Sequence, residues 1–192
     1  MNYDVICIGK LKEKYWTEAA AEYAKRLGRF CKVTVWELPE SRLADNASPA
    51  QEQAVKDAEG RAILAKIESL GRQQAFVFAL DPRGREMRSE DFAEKLSQIA
   101  LNGKSRVCFV IGGSLGLSED VRKAADSLLS FSAMTFPHQL FRVMLLEQIY
   151  RACKINAGES TTNKSCHWGR FRATPFSKCC RPEPSPVTLT DT

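Results

Sequence analysis

The sequence predicts an α/β domain built on a mainly parallel sheet flanked by helices. Segments with a strand period alternate with segments of helical period through residues 1–159, the order expected when crossover helices join parallel strands. Residues 75–80 (AFVFAL) and 106–111 (RVCFVI) are short, nearly continuous apolar runs, as expected of strands covered on both faces. The second run leads directly into Gly112-Gly113-Ser114-Leu115-Gly116, a glycine-containing strand end of the kind found where a ligand approaches the backbone.

Residues 3–8 read as a first strand that ends at Gly9. Trp16, Ala19, Ala20, Tyr23, Ala24 and Leu27 follow with i, i+3, i+4, i+7 spacing, which predicts an amphipathic helix closed near Gly28. In residues 32–38, Val33, Val35 and Glu37 alternate with Thr34 and Trp36, a second strand. Ser48-Pro49-Ala50-Gln51 opens a long helix, with Ser48 as N-cap, Pro49 at the first helical position and Gln51 completing a capping box; Gly71 closes it. After the third strand, Asp81-Pro82-Arg83-Gly84 has the composition of a turn. Ser89 starts a helix with Glu90 and Asp91 in its first turn, where carboxylates suit the helix dipole. Ser118-Glu119-Asp120 caps a short helix, a brief strand spans 128–131, and a last helix runs from about 139 to 154.

That last helix is apolar around most of its circumference, which predicts one side against the core and another against a second subunit in a homodimer. Glu147 and Arg151 are spaced for an i, i+4 ion pair.

Composition narrows the functional classes. With 44% apolar and 27% charged residues the chain suits one folded domain. Its formal charge of +5 divides unevenly: residues 1–159 hold 23 basic and 21 acidic residues, and residues 160–192 hold five and two. The N-terminus has no basic leader, and no apolar run approaches the ~20 residues of a membrane span, so the expectation is a cytoplasmic protein with no membrane partner. Cys7, Cys31, Cys108 and Cys153 fall in apolar segments and read as reduced thiols. Cys166, Cys179, Cys180 and His167 are too few and too poorly spaced for zinc, and no metal is expected. The glycine loop matches neither G-x-G-x-x-G nor a P-loop, which disfavours dinucleotide and nucleoside triphosphate binding; a Rossmann-type oxidoreductase is the more distant rival. The body holds one histidine, His138, placed after Pro137 at the start of the last helix, and no hydrolase triad can be assembled.

Four motifs then become specific in combination. They are Leu80-Asp81-Pro82-Arg83-Gly84; the stretch 109–117, FVIGGSLGL; the stretch 129–140, LSFSAMTFPHQL; and Arg142 with 146–152, LEQIYRA. In order and spacing they resemble the bacterial large-subunit rRNA pseudouridine N3-methyltransferase family of the SPOUT class, over residues 1–159. The resemblance implies an α/β knot with a C-terminal trefoil knot, a homodimer, S-adenosylmethionine as cofactor, and 23S rRNA on the ribosome as partner. It places the cofactor at Leu80, at Gly112 and Gly113, and along Ser132, Ala133, Met134, Thr135, Phe136 and Pro137. His138 and Arg142 are the candidate catalytic residues, and Arg83, Arg85, Arg88 and Arg142 the candidate phosphate contacts.

The chain departs from the family after Glu159. Residues 160–192 hold four of eight prolines and three of seven cysteines without a structural period, and are expected to be disordered. Family members carry a short Tyr-His-basic ending there, implicated in catalysis across the dimer. Ser160-Thr161-Thr162-Asn163-Lys164 can be encoded as TCT ACC ACA AAT AA, which read from its third base gives TAC CAC AAA TAA, that is Tyr-His-Lys-stop. The expectation is a one-base frameshift that replaced the family ending.

Overall fold

The computed structural model describes residues 1–160 apart from 42, 44 and 45, so the expected disorder of the tail beyond Ser160 lies outside the described residues. Five strands and five helices alternate: β1 (Asn2–Ile8), α1 (Lys14–Leu27), β2 (Lys32–Leu38), α2 (Pro49–Ser69), β3 (Ala75–Glu86), α3 (Ser89–Leu101), β4 (Arg106–Ile111), α4 (Glu119–Ala124), β5 (Ser127–Ser130) and α5 (His138–Asn156). The strands form one sheet in the order β2-β1-β4-β3-β5, and every neighbouring pair is parallel. All five C-terminal ends therefore share one edge, where ligands of open α/β sheets bind.

Local chemistry sets the elements as the sequence implies. Ser48 and Gln51 form the reciprocal capping box of α2, and Ser118 accepts from Val121 N–H at the start of α4. Gly71 adopts φ 88° just beyond α2. The apolar runs of β1, β3 and β4 lie at the centre of the sheet and divide into two cores, one on each face. Phe78, Phe92 and Phe109 lead the first, under α1, α3 and α5; Ile6, Ile63, Val77 and Val110 lead the second, under α2 and α4.

Polar ties fix the register. The buried Asp4 of β1 accepts from Trp36 Nε1 of β2 at 2.7 Å and pairs with Arg106 of β4, spanning three strands with one carboxylate. Asp126 accepts from Val77 N–H and, through both oxygens, from Arg72, which docks the start of β5 on β3.

One expectation is corrected. The Asp81-Pro82-Arg83-Gly84 segment does not end β3 as a turn: the strand continues to Glu86, and these four residues bulge out of the ladder so that both Leu80 and Arg85 pair with Leu129. Gly84 permits this, because a Cβ there would stand 2.7 Å from the backbone of Leu128 and Leu129. The apolar circumference of α5 meets several elements of its own chain. The helix lies between α1 and α3 and over the sheet, and none of its residues from His138 to Ile155 is exposed. Glu147 and Arg151 make the expected pair at 2.7 Å.

Candidate functional site at the sheet edge

A cavity of about 720 Å³ opens at the C-terminal edge, where the ends of β3, β4 and β5 meet the start of α5. Of the expected cofactor residues, Leu80, Gly112, Gly113, Ser132, Met134, Thr135, Phe136 and Pro137 line it, and so does His138. Ala133, exposed in the same loop, does not. Residues far apart in sequence thus converge, in a volume suited to a small cofactor.

The walls divide by chemistry. Leu80, Ile111, Leu117, Leu129, Phe131 and Phe141 make an apolar floor. The backbone of Gly112, Gly113 and Gly116 forms a tight turn, closed by a hydrogen bond from Gly116 N–H to Gly113 carbonyl at 3.0 Å. Side chains are excluded by close packing. A Cβ on Gly112 would meet the Gly116 carbonyl carbon at 2.8 Å, and one on Gly113 would meet Glu59 Oε2 at 2.9 Å. Burial pushes the Glu59 carboxyl up, although the Ser41 N–H bonded to it pulls the other way. An apolar floor with a bare backbone rim can take a small molecule that has a flat apolar face and polar groups at its edge.

One charged cluster lies at the mouth, and it was not singled out from sequence. Asp81, 5% exposed, accepts from Arg122 Nε at 2.6 Å and from the Arg83 backbone N–H at 2.9 Å; Arg83 and Arg122 both bond Glu119 Oε1 at 2.9 Å. Burial alone raises the Asp81 carboxyl, but the hydrogen bonds from Arg122 and Arg83 and their charges outweigh it and hold the group below the usual carboxylate range. Asp81 is therefore held as an anion at the cavity mouth, and His138 lines the same cavity. The signal for the cluster was the Asp81-Pro82-Arg83 motif itself, but its partner Arg122 lies in another helix and becomes visible only in three dimensions.

Arg142 is placed elsewhere. Its side chain is 1% exposed and does not line the cavity; Nη1 donates to Glu37 Oε1 at 2.6 Å and Nη2 to the Gly9 carbonyl at 3.0 Å, while Nε has no hydrogen-bond partner. A guanidinium closed off from solvent is not placed to meet an RNA phosphate in this structure, where it ties α5 to the end of β1. Arg83, Arg85 and Arg88 are exposed, and Arg83 is already engaged with Glu119 and Asp81.

Among the described residues no helix is long and apolar enough to cross a membrane, and no cluster of metal-ligating side chains occurs. Cys7, Cys31, Cys108 and Cys153 are free thiols.

Comparison with known proteins agrees with this geometry. A family model described as "Predicted SPOUT methyltransferase" matches residues 1–160. The Ribosomal RNA large subunit methyltransferase H of Clostridium novyi (strain NT) is 53% identical over 159 residues, which is 83% of this chain and 98% of that protein. The methyltransferase H 1 of Clostridium perfringens (strain SM101 / Type A) and the methyltransferase H of Clostridium kluyveri (strain NBRC 12016) are 52% and 48% identical over the same shares. A parallel sheet with its pocket at the strand ends, and a match over nearly the whole described region, lead to one conclusion: this chain belongs to the SPOUT methyltransferase family and is a methyltransferase.

Proposed function

We propose that the chain methylates N3 of a pseudouridine in large-subunit 23S rRNA, using S-adenosylmethionine, as a cytoplasmic homodimer acting on ribosomes. The observation that carries the reading is the convergence of Leu80, Gly112, Gly113 and the 132–137 loop on one cavity, in a chain whose relatives bear the name rRNA methyltransferase. Residues 1–159 form the catalytic domain, and its pocket-forming half carries the knot of the class.

When bound, S-adenosylmethionine supplies an electrophilic methyl on its sulfonium. Leu80, the backbone of Gly112 and Gly113, and the 132–137 loop are the residues that would hold it. The protein's main task is positional, to hold the methyl carbon in line with N3 of the target base. N3 carries a proton at neutral pH, and His138, at the cavity wall, would accept it as the N–C bond forms and the methyl–sulfur bond breaks, its electron pair staying on sulfur. Arg142 acts behind this, through Gly9 and α5, as a positioning residue.

A second reading is a dimer that binds cofactor and rRNA but turns over poorly, because Ser160-Thr161-Thr162 stands where the family carries Tyr-His. The relatives match over 98% of their own length but leave 17% of this chain uncovered, which favours giving it weight. Methyl transfer to large subunits lacking the modification, measured for this chain and for a version ending Gly-Glu-Pro-Tyr-His-Lys, separates the two. Equal high rates support the first reading, activity only with the restored ending supports the second, and no transfer by either overturns both. Sequencing the gene around codon 160 tests the frameshift: the Tyr-His-Lys-stop bases must be intact in the shifted frame.

A further inference from the structure

The sheet brings a second surface to the same edge. β1 ends at Ile8 and Gly9 beside the glycine loop, since a Cβ on Gly113 would stand 3.1 Å from Ile8 Cγ2. The connection from β1 into α1 carries Lys10, Lys12, Lys14, Tyr15 and Trp16, with Glu13 as its one carboxylate. All three lysines are exposed, and Tyr15 is 58% exposed, one of few large apolar side chains left in solvent, its ring tilted against Trp16 at 4.8 Å. Among the described residues the Lys10 and Lys12 ammonium groups make no ion pair, and Lys14 reaches only Glu18, at 3.6 Å on the surface. The arginines at the pocket mouth, by contrast, are neutralised by Asp81 and Glu119.

The backbone under these side chains is held firmly. Arg142 Nη2 donates to the Gly9 carbonyl, Leu11 N–H donates to Glu37 Oε1 at 3.3 Å, and Lys12 N–H donates to Gln139 Oε1 at 3.3 Å, next to His138. The result is a rigid loop with free cationic tips and an exposed ring, fastened to the helix that walls the pocket. Unpaired lysines suit phosphates, and an exposed ring beside them suits an unstacked base; together they fit single-stranded RNA.

We propose that residues 10–16 are an RNA docking face beside the methyl-transfer pocket, with Lys10, Lys12 and Lys14 on phosphates and Tyr15 stacked on an unpaired base. This rests on the rRNA reading under the proposed function. It assigns to the loop the contacts that Arg142 is too buried to make.

The test uses the full chain and large ribosomal subunits lacking the modification, with methyl transfer and filter binding both followed through a salt series. The triple variant Lys10→Gln/Lys12→Gln/Lys14→Gln should weaken subunit binding and raise KM by about tenfold or more near physiological salt. It should also lower the slope of log affinity against log salt by about two, at about 0.7 per phosphate contact on a single strand. S-adenosylmethionine affinity should not change. Tyr15→Ala should raise KM about fivefold or more, and Tyr15→Phe, which keeps the ring, should restore it. An unchanged salt slope and KM in the triple variant would overturn the proposal. So would a Tyr15→Ala effect confined to the sedimentation coefficient, because the ring would then serve a contact between subunits. If the parent chain transfers no methyl, the functional reading fails, whereas the filter-binding salt slope still decides the docking face.

Discussion

Two arginine clusters stand at the same edge of the sheet and do different work. Arg142 is enclosed, with Glu37 and the Gly9 carbonyl as partners, and lines no cavity. Arg122 is 17% exposed on its side chain, lines the pocket, and shares Asp81 and Glu119 with Arg83. The family resemblance offered Arg142 as a candidate catalytic residue and both Arg83 and Arg142 as candidate phosphate contacts, and sequence alone did not separate them. A buried guanidinium fixes one geometry, whereas a half-open one at a cavity mouth helps shape what the cavity accepts.

The comparison breaks most visibly at Arg142. Arg142→Ala leaves the buried Gly9 carbonyl without its side-chain donor and removes a fully buried side chain, which costs about 2 kcal/mol and lowers the melting temperature by about 4–8 °C. Thermal unfolding followed by circular dichroism reads this directly. S-adenosylmethionine affinity should move much less than stability; a large affinity loss with an unchanged melting temperature would return Arg142 to the binding site.

Arg122→Ala should show the opposite balance. It removes the 2.6 Å bond to Asp81 and part of the pocket wall, and cofactor affinity should fall about tenfold, with a stability loss of about 1–2 kcal/mol. Titration calorimetry and urea unfolding on the same preparation give both numbers.

Acid sharpens the contrast further. The Asp81 carboxyl lies below its ordinary value when folded, so it adds stability at pH above the unfolded carboxyl value, near 4, and loses that contribution as pH falls through the lower folded value. Asp81→Asn should flatten this part of the acid-unfolding profile. The Arg142 variant, still carrying Asp81, should keep its shape from a lower starting stability.

The smallest effect is expected at Glu119. It is exposed, and Glu119→Gln should leave the urea midpoint unchanged within error, since surface pairs add little.

How far the sequence spoke depended on how local the physics is. Helix caps at Ser48 and Ser118, the β2 alternation and the apolar runs of β3 and β4 are set by residues a few positions apart, and the structure has them where periodicity and capping put them. The pocket loops were legible because glycine and proline limit the backbone at Gly112, Gly113 and Pro137. What escaped was long-range. Nothing near Asp81 announced that Arg122, in α4, would bond it, or that β5 would pass against Gly84 and carry β3 on beyond a bulge. The burial of Arg142 depends on Glu37, 105 residues away. The apolar helix α5 shows a similar limit, since periodicity cannot distinguish a face covered by its own chain from one left for another.

The central claim is that the sheet-edge cavity takes S-adenosylmethionine, and calorimetric titration of the full chain against Thr135→Trp tests it most directly. Thr135 is exposed and lines the cavity, so an indole there fills the space without disturbing the core. The account predicts selective binding of S-adenosylmethionine over NADH by the parent chain, and loss of that binding in the variant with an unchanged melting temperature. Equal binding of NADH, or undiminished S-adenosylmethionine binding by the filled variant, would contradict it.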